Sequence, residues 1–157
     1  MVPEVIHGDD NIRQHMYEAL KAFKMPKGVE LTLPPPSSRE IESVYIEYVA
    51  QESLTASVLI PPKFANAVGV LQGGFLAAMF DGVMGPLSLL AAGGPSTSLD
   101  LITYFLAPII PGQRLSIVAR VRKAGRAIQH ITADAKNEKD ALVATASSTI
   151  QVLTLPA

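Results

Sequence analysis

In the stretch NAVGVLQGGFLAAMFD, residues 66–81, only a few side chains could do chemistry: the amides of Asn66 and Gln72, the Gly73-Gly74 pair, and one carboxylate, Asp81. The glycines let a ligand approach the backbone closely. If a helix starts at Gly74, its first N–H groups have no intrahelical partner and carry partial positive charge, so they can polarise a carbonyl or hold an oxyanion. Asp81 follows seven residues later, about two turns along the same helix and on nearly the same face. A carboxylate looking along a helix toward a carbonyl at its N-terminus is an arrangement for acyl chemistry. Taken singly, each residue has a plainer reading. Gly73-Gly74 can be an ordinary loop into a helix, Asn66 a turn residue, and Asp81 a structural acid paired with a strand hydroxyl.

The surroundings make Asp81 conspicuous. Met79 and Phe80 precede it and Gly82, Val83 and Met84 follow, so an acid sits where the pattern reads as core. An unpaired buried charge costs several kcal/mol. Residues 73–94 are long enough to span a bilayer. Asp81 and Gly85-Pro86 interrupt the stretch and no basic residue flanks it closely, so the expectation is a buried helix and no membrane span.

The 157 residues suit one domain with a real core. They are 48% hydrophobic and only 17% charged, apolar enough to suggest surface buried between subunits. Thirteen basic against fourteen acidic residues give no nucleic-acid footprint. With no cysteine, disulfides, thiolate metal sites and a cysteine nucleophile are excluded. No His/Asp/Glu cluster has ligand spacing, so no metal is expected. The first residues lack the basic and apolar regions of a signal peptide, and the expected location is cytoplasmic.

The elements that must position Asp81 can be laid out by period. Asp9, Asp10 and Asn11 offer N-cap oxygens to an amphipathic helix over 12–23, ended by Lys24-Met25-Pro26-Lys27-Gly28. The Pro-rich segment 31–38 is read as a connector, giving an N-terminal helical extension over 1–36 and a main domain over 37–157. Strands are expected at 42–49 and 54–60. In the first, Val44, Ile46 and Tyr48 alternate with Tyr45, Glu47 and Val49, and Pro61-Pro62 stops the second. An apolar helix from Gly74 to about Ala92 ends at Gly93-Gly94. Four more strands are expected at 97–106, 113–123, 126–136 and 141–154. Strand runs around one long central helix indicate an α+β fold with an antiparallel sheet curled around that helix.

NAVGVLQGGFLAAMFDGVMG, with TSLDLITYFLAP and RVRKAGRAIQH after it, resembles the hot-dog-fold acyl-CoA thioesterases of the phenylacetate-degradation and thioesterase-superfamily type. The similarity spans roughly residues 40–154. It implies a six-stranded antiparallel sheet wrapped around one helix, and homodimers joined sheet edge to sheet edge, often paired into tetramers. The family pattern Asn-x-x-Gly-x-x-His-Gly-Gly-x(6)-Asp is matched by Asn66, Gly69, Gly73, Gly74 and Asp81. By resemblance, Asp81 activates water or attacks the thioester carbon, the Gly73 N–H supports the oxyanion, and a strand hydroxyl, Ser98 or its neighbour Thr97, positions the nucleophile. Asp81 and Gly73 would come from opposite subunits, which displaces the same-helix picture above. The turn Lys123-Ala124-Gly125-Arg126 and the strand end Phe105-Leu106-Ala107-Pro108 would contact coenzyme A. Coenzyme A enters as part of the substrate, and no separate cofactor is implied.

One position departs from the pattern. The family's His is Gln72, and His7, His15 and His130 lie outside the motif. A Gln amide can still donate a hydrogen bond but cannot act as acid or base. Asp/His hydration chemistry is thereby disfavoured, whereas a thioesterase working through a carboxylate and the backbone survives. The expected activity is hydrolysis of an acyl-CoA to a carboxylic acid and free coenzyme A, with Asn66, Gln72 and Ser98 positioning carbonyl and water. The competing reading is a non-catalytic acyl-CoA or small-ligand binding protein on the same fold.

Overall fold

The computed structural model describes residues 2–23, 27–28, 30 and 32–153. In chain order the elements are β1 (Val5–His7), α1 (Asp9–Lys21), β2 (Ser43–Val49), β3 (Ser53–Leu59), α2 (Gly73–Ala92), β4 (Ser96–Ser98), β5 (Ile102–Phe105), β6 (Arg114–Ala124), β7 (Ile128–Lys136) and β8 (Leu142–Val152). Every pairing is antiparallel, in the order β1-β2-β3-β6-β7-β8-β4, with β5 also on β8. The sheet wraps around α2, the hot-dog arrangement that the resemblance implies.

The core follows from the periods. On β6, Leu115, Ile117 and Ala119 are buried while Arg114, Ser116 and Arg122 face outward, the period of two that the sequence shows. On α2, Leu76, Met79, Phe80, Val83 and Leu87 recur at helical spacing and are buried against the sheet. This helix is long and apolar enough to cross a bilayer, but its apolar side is the core of the domain. Gly93 ends it in the left-handed conformation at φ 63°, with Gly93 and Gly94 both donating to the Leu89 carbonyl.

Several expectations are corrected. The helix begins at Gly73 with Gln72 as N-cap, one residue before Gly74. The first helix begins at Asp9 after Gly8, and no side-chain oxygen caps it. Asp9 instead accepts the Tyr45 amide at 2.7 Å and Arg13 Nε at 2.6 Å, which draws its carboxylate away from the cap. The single strand expected over 97–106 is two, because the Asp100 carboxylate accepts the Thr149 N–H at 2.8 Å and interrupts the ladder. That N–H is the main reason the Asp100 carboxyl lies below its usual range. β1 escapes the sequence because three residues carry no readable period; its pairing with β2 forms it. On β2 a bulge between Tyr45 and Glu47 shifts the alternation, so that Tyr45 and Tyr48 are both buried while Val44 and Ile46 are exposed. The sheet therefore has eight strands where six were expected. Lys24–Pro26 of the expected helix stop, Leu31 of the connector and Thr154 at the end of the last strand lie outside the described residues.

The N-terminal helix packs onto this body. Ile12 and Met16 of α1 are buried in the same cluster as Tyr45, Tyr48 and the apolar face of α2.

Candidate active site

α2 presents two kinds of surface. Gly74, Ala78, Asp81 and Gly82, at spacings of four, three and one, are its exposed positions in the single chain, opposite the buried face. Asp81 is therefore not a charge sunk in core, as its neighbours in the sequence suggest. It stands on the one open side of an otherwise apolar helix. Ser98 at the end of β4 donates its hydroxyl to Asp81 Oδ1 at 3.2 Å, so the strand hydroxyl and the acid do meet. Thr97 lines the same cavity, with its backbone paired to Gln151 on β8.

The position of Ser98 is fixed from beneath. Ser88 on α2 is fully buried and bonds both the Ser96 hydroxyl on β4 at 2.9 Å and Gln129 Oε1 on β7 at 2.7 Å. Its one proton goes to the Gln129 carbonyl, so Ser96 is the donor to Ser88. This ties β4 to the helix two turns beyond Asp81. A buried polar network of this kind fixes one geometry among otherwise interchangeable apolar contacts.

The loop before α2 is ordered by its own amides. Asn66 Oδ1 accepts the Val68 and Val70 N–H groups at 3.0 and 3.3 Å, and Gly69 sits at φ +83° where a Cβ would be strained. In this chain the Asn66 side chain holds the turn. Gln72 donates its backbone N–H to the Phe64 carbonyl at 2.9 Å, which seats the helix start on the preceding turn, while its side chain is exposed. The Phe105 ring covers Gly73 so closely that a Cβ there would lie 2.8 Å from it. Gly73 thus lets the helix N-terminus and β5 approach each other, and Gly74 has open space around it.

Gly73 and Asp81 are eight residues apart on one straight helix, about 12 Å at the helical rise. No single carbonyl can touch both within one chain. That distance argues against the same-helix arrangement drawn from spacing alone.

Beside Asp81 opens a cavity of about 650 Å³. One wall is α2 through Ala78, Gly82, Gly85 and Pro86; another is α1 through Arg13, Met16, Tyr17 and Leu20. Tyr45 stands between them. Pro86 has no N–H, so the Gly82 carbonyl one turn earlier lacks its intrahelical donor. The Tyr45 hydroxyl donates to that carbonyl at 2.9 Å. Burial, the largest influence, pushes the Tyr45 phenol up to about 12, so the hydroxyl remains a donor across the neutral range. Sequence reasoning placed none of Arg13, Tyr17, Tyr45, Gly82 or Pro86 at the site. The signal that was available is Pro86 itself, since a proline inside a helix obliges some outside donor to serve residue 82.

The remaining expected contacts lie elsewhere. Phe105, Leu106, Ala107 and Pro108 are exposed, with Leu106 and Ala107 both donating to the Val143 carbonyl. Lys123, Ala124 and Arg126 are exposed at the β6–β7 turn, and Ala124, Gly125 and Arg126 border a smaller cavity of about 310 Å³ near the C-terminal end of α2. Within one chain neither group lines the Asp81 cavity. Among the described residues no group of three or more His, Cys, Asp or Glu could hold a metal ion.

The chain resembles known proteins over most of its length. The thioesterase superfamily model matches residues 68–144, which run from the loop before α2 into β8. A phenylacetic acid degradation-related protein of Ralstonia eutropha JMP134 is 32% identical, covering 76% of this chain and 92% of its own, with a TM-score of 0.67. The E. coli PaaI protein of the phenylacetic acid degradation operon superposes with a TM-score of 0.76 at 13% identity, over 91% of this chain and 94% of its own. Human acyl-coenzyme A thioesterase 13 is 23% identical over 130 residues, 82% of this chain and 86% of that protein.

Proposed function

The chain belongs to the thioesterase superfamily and is a thioester hydrolase of acyl-coenzyme A, and from that premise we propose that Asp81 drives the reaction at a site completed by a second copy of the chain. The observation that carries this reading is the exposed carboxylate of Asp81 with the Ser98 hydroxyl on it at 3.2 Å, at the mouth of an apolar cavity. The carboxylate takes a proton from water as the hydroxide adds to the thioester carbon; the C–S bond then breaks and the proton passes to the departing thiolate. Direct attack by the carboxylate is the alternative first step at the same atom. The negative charge on the thioester oxygen is held by the Gly73 N–H of the opposing copy, where a helix N-terminus favours an anion.

Distance supports a second copy, since Gly73 and Asp81 of one chain stand about 12 Å apart, too far for one carbonyl to meet both. The sheet supports the same reading. β5 carries Ile102, Tyr104 and Phe105 as exposed apolar side chains, with Leu99 and Leu106 exposed beside them. An apolar edge of this kind is a face that association covers. The dimer is thus formed along the β4–β5 side, and the Lys123–Arg126 turn and the Phe105–Pro108 segment receive the coenzyme A from different copies. Gln72 stands by the helix start as a neutral donor in place of the imidazole seen in the family pattern.

The test is release of free thiol from a panel of short, long and aromatic acyl-CoAs by the wild type and by Asp81→Asn. The variant should keep its melting temperature and lose at least about a hundredfold in kcat, in line with the loss of an essential acid–base group. Undiminished turnover by Asp81→Asn on the best substrate would remove Asp81 from the chemistry.

A further inference from the structure

The cavity beside Asp81 has an apolar middle and a cationic far wall. Arg13, Met16, Tyr17 and Leu20 lie on one stripe of α1, at spacings of three, one and three, and all four line it. Opposite, α2 offers Gly82 and Gly85, where an added Cβ would meet nothing within 4 Å. The space between the helices is thus built by small residues on one side and by larger ones on the other. Its volume of about 650 Å³ lies within the usual range for small-molecule sites.

Among the described residues, Arg13 is the one cation on the cavity wall. Its Nε donates to Asp9 at 2.6 Å and its Nη2 to the Ser43 carbonyl at 2.6 Å, and its guanidinium lies 4.9 Å from the centre of the Tyr45 ring. These bonds use two of the five guanidinium N–H groups and Tyr17 adds a further side-chain hydrogen bond, so N–H capacity remains for a ligand at the cavity wall. Burial, the largest single influence, works against the charge, but Asp9, Tyr45 and Tyr17 together outweigh it, so the guanidinium stays cationic at any physiological pH. Asp9 also accepts the Tyr45 amide, which fixes the cation from two elements. A pre-oriented guanidinium with N–H groups to spare is suited to a carboxylate or carbonyl oxygen.

We propose that α1 forms the distal wall of the acyl site, and that Arg13 selects acyl groups bearing a hydrogen-bond acceptor, a carboxylate or a ketone oxygen, at the end remote from the thioester. This rests on the acyl-CoA hydrolase reading and goes beyond it, because it gives the N-terminal helix a role in choosing the substrate. A plain alkyl chain would fill the apolar middle and leave the guanidinium without a partner. An acceptor-ended chain of the same length would fill both.

The experiment compares kcat/KM for octanoyl-CoA, its ω-carboxy analogue and its 7-oxo analogue. In the wild type at least one acceptor-ended substrate should exceed octanoyl-CoA by about tenfold or more, the range of a hydrogen bond to a charged group; the two arms tell a carboxylate from a ketone. Arg13→Gln should bring that ratio close to one, and Arg13→Lys should keep part of it. Leu20→Trp touches none of the Arg13 bonds and narrows the cavity, so it should lower octanoyl-CoA hydrolysis relative to acetyl-CoA by about tenfold. Hydrolysis of all substrates with a wild-type ratio near one, or a ratio that survives Arg13→Gln, overturns the proposal and leaves the hydrolase reading standing. Thiol release from no acyl-CoA overturns both.

Discussion

The Tyr45 hydroxyl donates to the Gly82 carbonyl at 2.9 Å, and this is the carbonyl that Pro86 leaves without an intrahelical donor. A strand side chain thereby completes the helix that carries Asp81, one residue away from the acid. Tyr45→Phe leaves the carbonyl with no protein donor and should cost about 1–3 kcal/mol in denaturant unfolding. A pH signature separates this from a mere packing change. The folded phenol sits above its unfolded value, so its contribution is complete below about pH 10 and is lost as pH rises toward about 12. The wild type should lose stability over that window, and Tyr45→Phe should show a flatter profile there. Parallel profiles for the two proteins would refute the link.

Ser98 and Thr97 are the two hydroxyls that the sequence leaves unresolved, and only Ser98 has a hydrogen bond to Asp81. Ser98→Ala should reduce kcat by about tenfold, the low end for a hydrogen bond to a charged group, with little change in KM. Thr97→Ala, whose backbone pairing to Gln151 is retained, should act through KM if it acts at all. Steady-state kinetics on one acyl-CoA decides this. A larger kcat loss in Thr97→Ala would exchange the two roles.

What could be read from the sequence depended on whether the responsible interactions were local. An apolar run bounded by glycines located α2, and alternation or flanking turn residues located the β6–β8 strands, each to within one or two residues, because these signals lie within or beside the element itself. The Asn66-to-Asp81 spacing pointed to the site for the same reason, since loop and helix start are contiguous. Tyr45 could not be found this way. Its inward direction depends on a bulge between Tyr45 and Glu47, and its partner is 37 residues on. Asp9 read as a cap but bonds Arg13 and Tyr45, a choice set by where α1 lands on β2. The break at Asp100 likewise depends on Thr149, 49 residues away.

Two glycines give opposite predictions for the same substitution. A Cβ at Gly125 would lie 2.7 Å from the Ile128 carbonyl oxygen, to which the Gly125 N–H also donates at 2.9 Å. Backbone must move to make room, so Gly125→Ala should cost about 1–3 kcal/mol. At Gly85, inside α2, a Cβ meets nothing within 4 Å, and Gly85→Ala should raise stability by up to about 1 kcal/mol through helix propensity. Urea midpoints for the two variants should therefore move in opposite directions from the wild type. A gain for Gly125→Ala would show that the turn relaxes freely.

The two-copy site makes a prediction that no single-chain mechanism makes. Gly73→Pro removes the N–H assigned to the oxyanion, and proline is well tolerated at the first position of a helix, which Gly73 occupies. The far end of the Phe105 ring over Gly73 must tilt to admit it, so size exclusion of Gly73→Pro must first show an intact dimer. Gly73→Pro and Asp81→Asn should each be nearly inactive as homodimers while melting close to the wild type. Mixed by refolding or co-expression, a hybrid dimer joins the intact Gly73 of one copy to the intact Asp81 of the other and regains one competent site. With random pairing the mixture should recover about a quarter of wild-type kcat per site. Recovery above the sum of the two variants, measured by thiol release, requires the shared site. If the mixture shows only that sum while size exclusion shows hybrid dimers formed, Gly73 and Asp81 do not act together across the interface.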